Sequence, residues 1–344
     1  SSVEIPRSVV HIGFSAFVDT ALKRIDIPNS VTTIEDSAFS DCGRLEEITL
    51  PESIVSIGDE LFFNCFRLKA IEFSCRITRI GVRTFAYCSS LESIVIPHLV
   101  KTIDKQAFMS CERLNLIRLP ETLESIGEEA FWLCRNLAFL TLPDSLKSIG
   151  EYAFKECSSL PCIVLSESLE SIEKGVFASC ISLSSVQIQS RVRSIEDDSF
   201  LGCCDLTINV DDENPHYCSV NGALFNKDMA RLIYTARQGF NSYRIPNGVK
   251  RLSEYAFCDY HCLEELWIGR DIEELDGSLF KKCDVLRIFE IEEGNERYEN
   301  DESYCLFDTK NRALVVAPKG LCESYVIPEG MTEIGAYAFY GCKI

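Results

Sequence analysis

The sequence predicts a repeat solenoid built around a stacked parallel β-sheet. Three observations carry this prediction. Cysteines fall at Cys42, Cys65, Cys88, Cys111, Cys134, Cys157, Cys180 and Cys203, and every step is 23 residues. Leu45 to Leu206, Ile34 to Ile195 and Phe39 to Phe200 form three further columns with the same step. Within a unit, apolar residues first alternate and then fall three apart. Such a unit cannot bury its apolar edge alone, so copies must stack on one another.

The elements follow in chain order. An early unit runs from Val3 and Ile5 through Phe17 to Leu22, one residue short and with Thr20 in the cysteine column. A typical unit opens with Leu45, Ile48 and Leu50, with Thr49 between the last two. That alternation reads as a short strand. Pro51 has no N–H to give and ends the ladder. Ile54 and Ile57 follow three apart, and Gly58 turns the chain. Phe62, Cys65 and Leu68 are again three apart, which suits one or two turns of 3₁₀ or α-helix. Stacked strands should lie about 4.8 Å apart, with each coil serving as its own crossover.

Nine units, over 1–208, precede a first interruption at 209–242. Two units follow over 243–288: Tyr243, Ile245, Phe257 and Leu263, then Leu266, Ile268, Phe280, Cys283 and Leu286. A second interruption at 289–324 precedes a partial unit at 325–344. The interruptions resemble each other. Asn214 and Asn295 precede Tyr217 and Tyr298, and Leu224-Phe225 corresponds to Leu306-Phe307. In each, a polar stretch separates two apolar runs, which reads as a β-hairpin. One continuous solenoid over 1–344 is expected rather than two domains.

Composition narrows the function classes. Asp and Glu total 53 against 34 Lys and Arg, a formal charge of −19. Nucleic acid and anionic membranes call for clustered basic residues, so neither is an expected partner. No apolar run approaches the roughly 20 residues of a membrane span. Apolar residues make up 46%, enough for a large core.

The string Ile-x-Ile-Pro-x-Ser-Val-x-x-Ile, then Ala-Phe-x-x-Cys-x-x-Leu, is clearest at 25–45 and 140–160. It resembles the BspA-like (Treponema pallidum-type) leucine-rich repeat over nearly the whole chain. The resemblance implies a curved right-handed coil of α/β-like type. Its parallel sheet would lie on the concave side and short α or 3₁₀ segments on the convex side. It also implies a surface or secreted protein that recognises host or microbial partners. The chain starts inside a unit at Ser1 and stops inside another at Ile344, so a piece of a longer protein is expected.

The cysteine column, with Cys283 and Cys342, alternates with inward Phe and Leu. A ladder of buried free thiols is expected there, with some disulfides or a metal as the alternatives. Cys75, Cys162, Cys204, Cys218, Cys258, Cys262, Cys305 and Cys322 lie outside the column. Cys258, His261 and Cys262 lack the paired spacing of a zinc site. Acids such as Glu35-Asp36, Asp59-Glu60 and Glu128-Glu129 recur where each short helix should begin, as a solvated capping edge. No metal and no cofactor is called for.

Residues between the inward strand positions form two outward columns. The early and late strands are polar there. The middle is apolar: Val95, Leu116, Phe139, Cys162 and Val164 fall in one patch, interleaved with Arg118 and Thr141. An exposed apolar patch points to a partner. Phe139 is the expected anchor and Arg118 a flanking polar contact, with scatter or cover by another segment as the alternative. Trp132 is a second candidate contact on the outer side, or packing between coils.

No nucleophile elbow, phosphate-cradling glycine loop or histidine-rich metal motif occurs, so no catalytic residues are assigned and the chain is read as a non-enzyme. The leading expectation is an extracellular or cell-surface adhesion module that binds a protein or glycan. A cytoplasmic sensor or scaffold module of a larger protein is the alternative, and a structural stalk a third reading.

Overall fold

The computed structural model describes residues 3–236, 241–258, 260–321 and 324–343. They form two compact units, Ser1–Cys203 and Cys204–Ile344. In the first unit, most coils carry two short strand segments and one tight turn. The longer segments include Glu47–Leu50, Ala70–Phe73, Ser93–Val95, Leu116–Arg118, Cys162–Val164 and Ser185–Ile188. They pair in parallel with a register of 23, as in Glu47↔Ala70, Val95↔Arg118 and Cys162↔Ser185. Ile48, Ile71, Ile94, Ile117, Ile163 and Val186 point inward and are buried. Their neighbours point outward because side chains alternate along a strand. A second row of two-residue segments, such as Thr102–Ile103 and Ser125–Ile126, stacks in the same register.

The third side differs from the short helices that the spacing predicts. All but the last of these turns hold two left-handed residues four apart, such as Gln106 (φ 57) with Ser110 (φ 59) and Glu129 (φ 55) with Leu133 (φ 65). A left-handed residue interrupts a right-handed helix. The turn amides therefore bond to the next coil: Gln106 N–H to Glu128 O at 2.9 Å, Phe108 N–H to Ala130 O at 2.7 Å and Ser110 N–H to Trp132 O at 2.7 Å. Among the described residues, a single 3₁₀ helix appears, at Gly277–Phe280 in the second unit.

The columns explain the core. Phe85, Phe108, Phe131 and Phe154 are fully buried and stack with centroids 5.1, 5.2 and 5.3 Å apart. Phe108 O accepts the Cys111 N–H at 3.1 Å and the Cys134 thiol at 3.2 Å. The same pattern joins Cys65 to Phe39, Cys88 to Phe62, Cys111 to Phe85 and Cys180 to Phe154. Cysteine suits the position because it is small and apolar yet supplies a weak donor for the carbonyl's second lone pair. Each of these thiols is free of a disulfide. Cys322 lies outside the described residues.

The recurrent acids cap a neighbour rather than a helix of their own. Asp36 accepts the Asp59 N–H at 2.8 Å, and Asp59 accepts the Val82 N–H at 3.0 Å. Cations offset the stacked charge: Arg79 reaches both Asp59 and Asp104 at 2.7 Å, and Lys105 reaches Glu128 at 2.8 Å.

The longer strands of the first unit are interrupted between Ala70–Phe73 and Ser93–Val95 and again before Cys162–Val164, and the second interruption carries a proline. In other coils the residue after the leucine column donates to the preceding coil, as in Asn115 N–H to Glu92 O, Ala138 N–H to Asn115 O and Ser184 N–H to Pro161 O. Pro161 occupies that donor position against Ala138 O and has no N–H. Phe139 bridges Leu116, and the next ladder begins afresh at Cys162–Val164.

In the second unit, Ser242–Arg244, Glu265–Ile268 and Ile288–Ile291 pair in parallel with the same register. Each insertion builds three antiparallel strands, one more than a hairpin. These are Tyr217–Val220, Ala223–Asn226 and Arg231–Tyr234, then Tyr298–Asn300, Leu306–Asp308 and Ala313–Val316. The third strand of each pairs in parallel with a two-residue segment, Arg251–Leu252 or Glu333–Ile334. The matching asparagines start both insertions. Asn214 accepts the His216 and Tyr217 amides, and Asn295 those of Arg297 and Tyr298. In the second insertion Arg297 pairs with the buried Asp308 at 2.8 Å. Gly277 is required where it stands, since a Cβ would lie 2.6 Å from Ala336 O.

Candidate interaction face

The candidate site lies on the outward face of the longer strand segments in the first unit. The ladder fixes its geometry. Register pairs Val95 with Arg118, and a bridge pairs Leu116 with Phe139. Leu116 and Phe139 therefore adjoin in one column, which the 23-residue period continues to Cys162, and Val95 and Arg118 adjoin in the next, which the same period continues to Thr141 and Val164. Neighbours within a column sit about 4.8 Å apart. Arg118 and Thr141 separate Val95 from Val164, so the apolar surface is one continuous column flanked by two outlying valines.

Exposure distinguishes these side chains from the core. Val95 is 61% exposed, Phe139 62% and Val164 62%. Their strand neighbours Ile94 and Ile163 are 3% exposed. Leu116 is half-buried, and Arg118, Thr141 and Cys162 are exposed. Full burial of one such apolar side chain against a partner is worth roughly 1.5–3 kcal/mol. The Pro161 break falls between the coil of Phe139 and that of Cys162.

Trp132 is not part of this face. It sits in the turn, half-buried, with its indole N–H directed to Glu156 at 3.4 Å and Lys155 over its ring at 5.1 Å. Lys155 also caps the Tyr152 ring at 5.2 Å. These contacts between adjacent coils occupy the indole edge and one ring face.

The outward columns also contain a feature that a search for apolar anchors passes over. Over the first strands they line a depression of about 670 Å³ bordered by Arg24, Asp26, Glu47, Glu52 and Glu72. The signal lay in the same two columns. Among the described residues, no group of three or more His, Cys, Asp or Glu is arranged to hold a metal ion. His261 instead meets Asp284 at 3.0 Å.

Residues 1–115, 78–207 and 318–344 match the family described as BspA type leucine rich repeat region, in six copies. The chain belongs to this family. Among solved structures, the chain is similar to a leucine rich cell surface protein from Faecalibacterium prausnitzii, 23% identical, with a TM-score of 0.54 over 82% of this chain and 83% of that one. A leucine-rich repeat protein from Bacteroides ovatus is 21% identical, with a TM-score of 0.54 over 86% and 80%. One from Eubacterium ventriosum is 17% identical, with a TM-score of 0.51 over 74% and 84%. These likenesses establish the leucine-rich repeat solenoid fold. A comparison with curated proteins finds no match. Among the described residues, no helix is long and apolar enough to cross a membrane.

Proposed function

We propose that this BspA-type chain is a non-catalytic recognition and adhesion module of the cell surface or of a secreted protein. It binds a protein or glycan through the outward sheet face of its first unit, with Phe139 as the anchor. The observation that carries the reading is the exposure of Val95, Phe139 and Val164 on one face, with the inward neighbours of the two valines, Ile94 and Ile163, almost fully buried. Large apolar side chains held on a rigid ladder lose little conformational freedom on binding, so most of their burial appears as affinity. The cell-surface placement is supported by the F. prausnitzii protein described as a surface protein. A cytoplasmic interaction scaffold is the second reading, favoured by the exposed thiol of Cys162.

The test is a binding screen of the full chain against extracellular matrix proteins, receptor ectodomains and a glycan array. A Phe139→Glu, Leu116→Glu variant with unchanged circular dichroism and melting point runs beside it. A ligand bound by the parent and lost in the variant is the expected result. A ligand retained by the variant moves recognition off this face, and no ligand at all leaves a structural stalk.

A further inference from the structure

We infer that the sheet face of the first unit is laid out for an extended protein segment with basic side chains at one end and apolar side chains at the other. This rests on the reading of that face as the recognition surface and adds the chemistry of the partner. Along the two outward columns, the character changes in order. Arg24, Asp26, Glu47, Thr49, Ala70 and Glu72 occupy the first three strands. Val95, Leu116, Phe139 and Val164 follow, interleaved with Arg118 and Thr141, and Ser185 and Gln187 close the series.

The acidic end gathers four carboxylates, Asp26, Glu47, Glu52 and Glu72, against one cation, Arg24, in a single depression. Elsewhere in the unit some carboxylates meet cations: Glu60 with Arg83, Glu124 with Lys101 and Lys147, and Glu128 with Lys105. In the depression, Glu47 pairs with Arg24 at 2.8 Å and Glu72 meets the Thr49 hydroxyl at 3.5 Å. Among the described residues, Asp26, Glu52 and Glu72 have no cation in contact. Three uncompensated carboxylates in one depression select a cationic partner and steer its approach. The next strands offer Leu116 and Phe139 on the same face, where Arg118 and Thr141 can donate to the carbonyls of a bound backbone. Aliphatic side chains around one phenyl ring suit apolar side chains better than sugar rings. Trp132, the one tryptophan of this unit, is on the turn side.

Length fits a peptide. From the Arg24 position to Cys162 is six coil steps, about 29 Å at about 4.8 Å each, which an extended segment of about nine residues spans.

The experiment pans a displayed library of random decapeptides on the full chain and adds a neutral glycan array. The expected selection is enriched in Lys or Arg in one half and in Leu, Phe or Val in the other. Phe139→Glu should weaken selected peptides about thirtyfold or more. Glu52→Gln with Glu72→Gln should weaken them about two- to fivefold per charge at low salt and flatten the salt dependence. Selected peptides without basic enrichment, or neutral glycans, that still require Phe139 overturn this partner chemistry and leave the recognition face standing. Binders indifferent to both sets of variants, or no binder, overturn both.

Discussion

Raising the pH above the ordinary thiol range should unfold the first unit steeply, because its core is a thiol ladder. Burial pushes the thiols of Cys88, Cys111, Cys134, Cys157 and Cys180 well above their ordinary value. An unfolded cysteine titrates near 8.5. Each of the five therefore stays protonated in the folded chain while its unfolded counterpart loses a proton. Stability from this source is complete below about pH 8.5 and falls as the pH rises, by about 1.4 kcal/mol per thiol per pH unit. Five thiols acting together lower the unfolding free energy by about 7 kcal/mol one unit above that value, comparable with the whole stability of an ordinary domain. The assay is the urea midpoint, followed by circular dichroism in a reducing buffer at about pH 7.5, 8.5 and 9.5, below the ordinary range of tyrosine and lysine. A Cys88→Ala, Cys134→Ala variant starts less stable, since Phe62 O and Phe108 O lose a donor. Its pH slope should nevertheless be shallower by two-fifths, about 3 kcal/mol per unit. A midpoint that stays level between about pH 8.5 and 9.5, or an unchanged slope in the variant, would refute the argument.

Two further outcomes test the turn and the break. Gly175 (φ +59) stands where a Cβ would overlap the Tyr152 ring. Gly175→Ala should destabilise by about 2–3 kcal/mol, falling to about 1 kcal/mol in a Tyr152→Ala background, as read from a denaturation double-mutant cycle. Pro161→Ser returns a donor to Ala138 O. It should slow amide exchange over Cys162–Val164 about fivefold, and unchanged exchange would show that the missing N–H is not what divides the sheet.

The second insertion shows how far sequence comparison within one chain can reach. Asn214 and Asn295 were visible as matching residues, and the structure shows each gathering two backbone amides. The first strand of each insertion, Tyr217–Val220 or Tyr298–Asn300, was not visible, because its mixed, partly exposed residues leave no apolar alternation. Phe139 and Leu116 could be assigned to the outward columns, since period-two alternation fixes a side. Whether the adjoining carboxylates were paired could not, since Arg24 and Glu47 are 23 residues apart in sequence.

The sequence by itself determined the coil period, the inward columns and the family, because each is a spacing rule repeated many times. Tertiary structure decided the rest. It turned the expected helices into left-handed turns whose amides bond to the next coil. It gave each column thiol a carbonyl, and it placed Trp132 away from Phe139. The physical reason is common to all three: these bonds join residues one coil apart, and only stacking brings their atoms within reach.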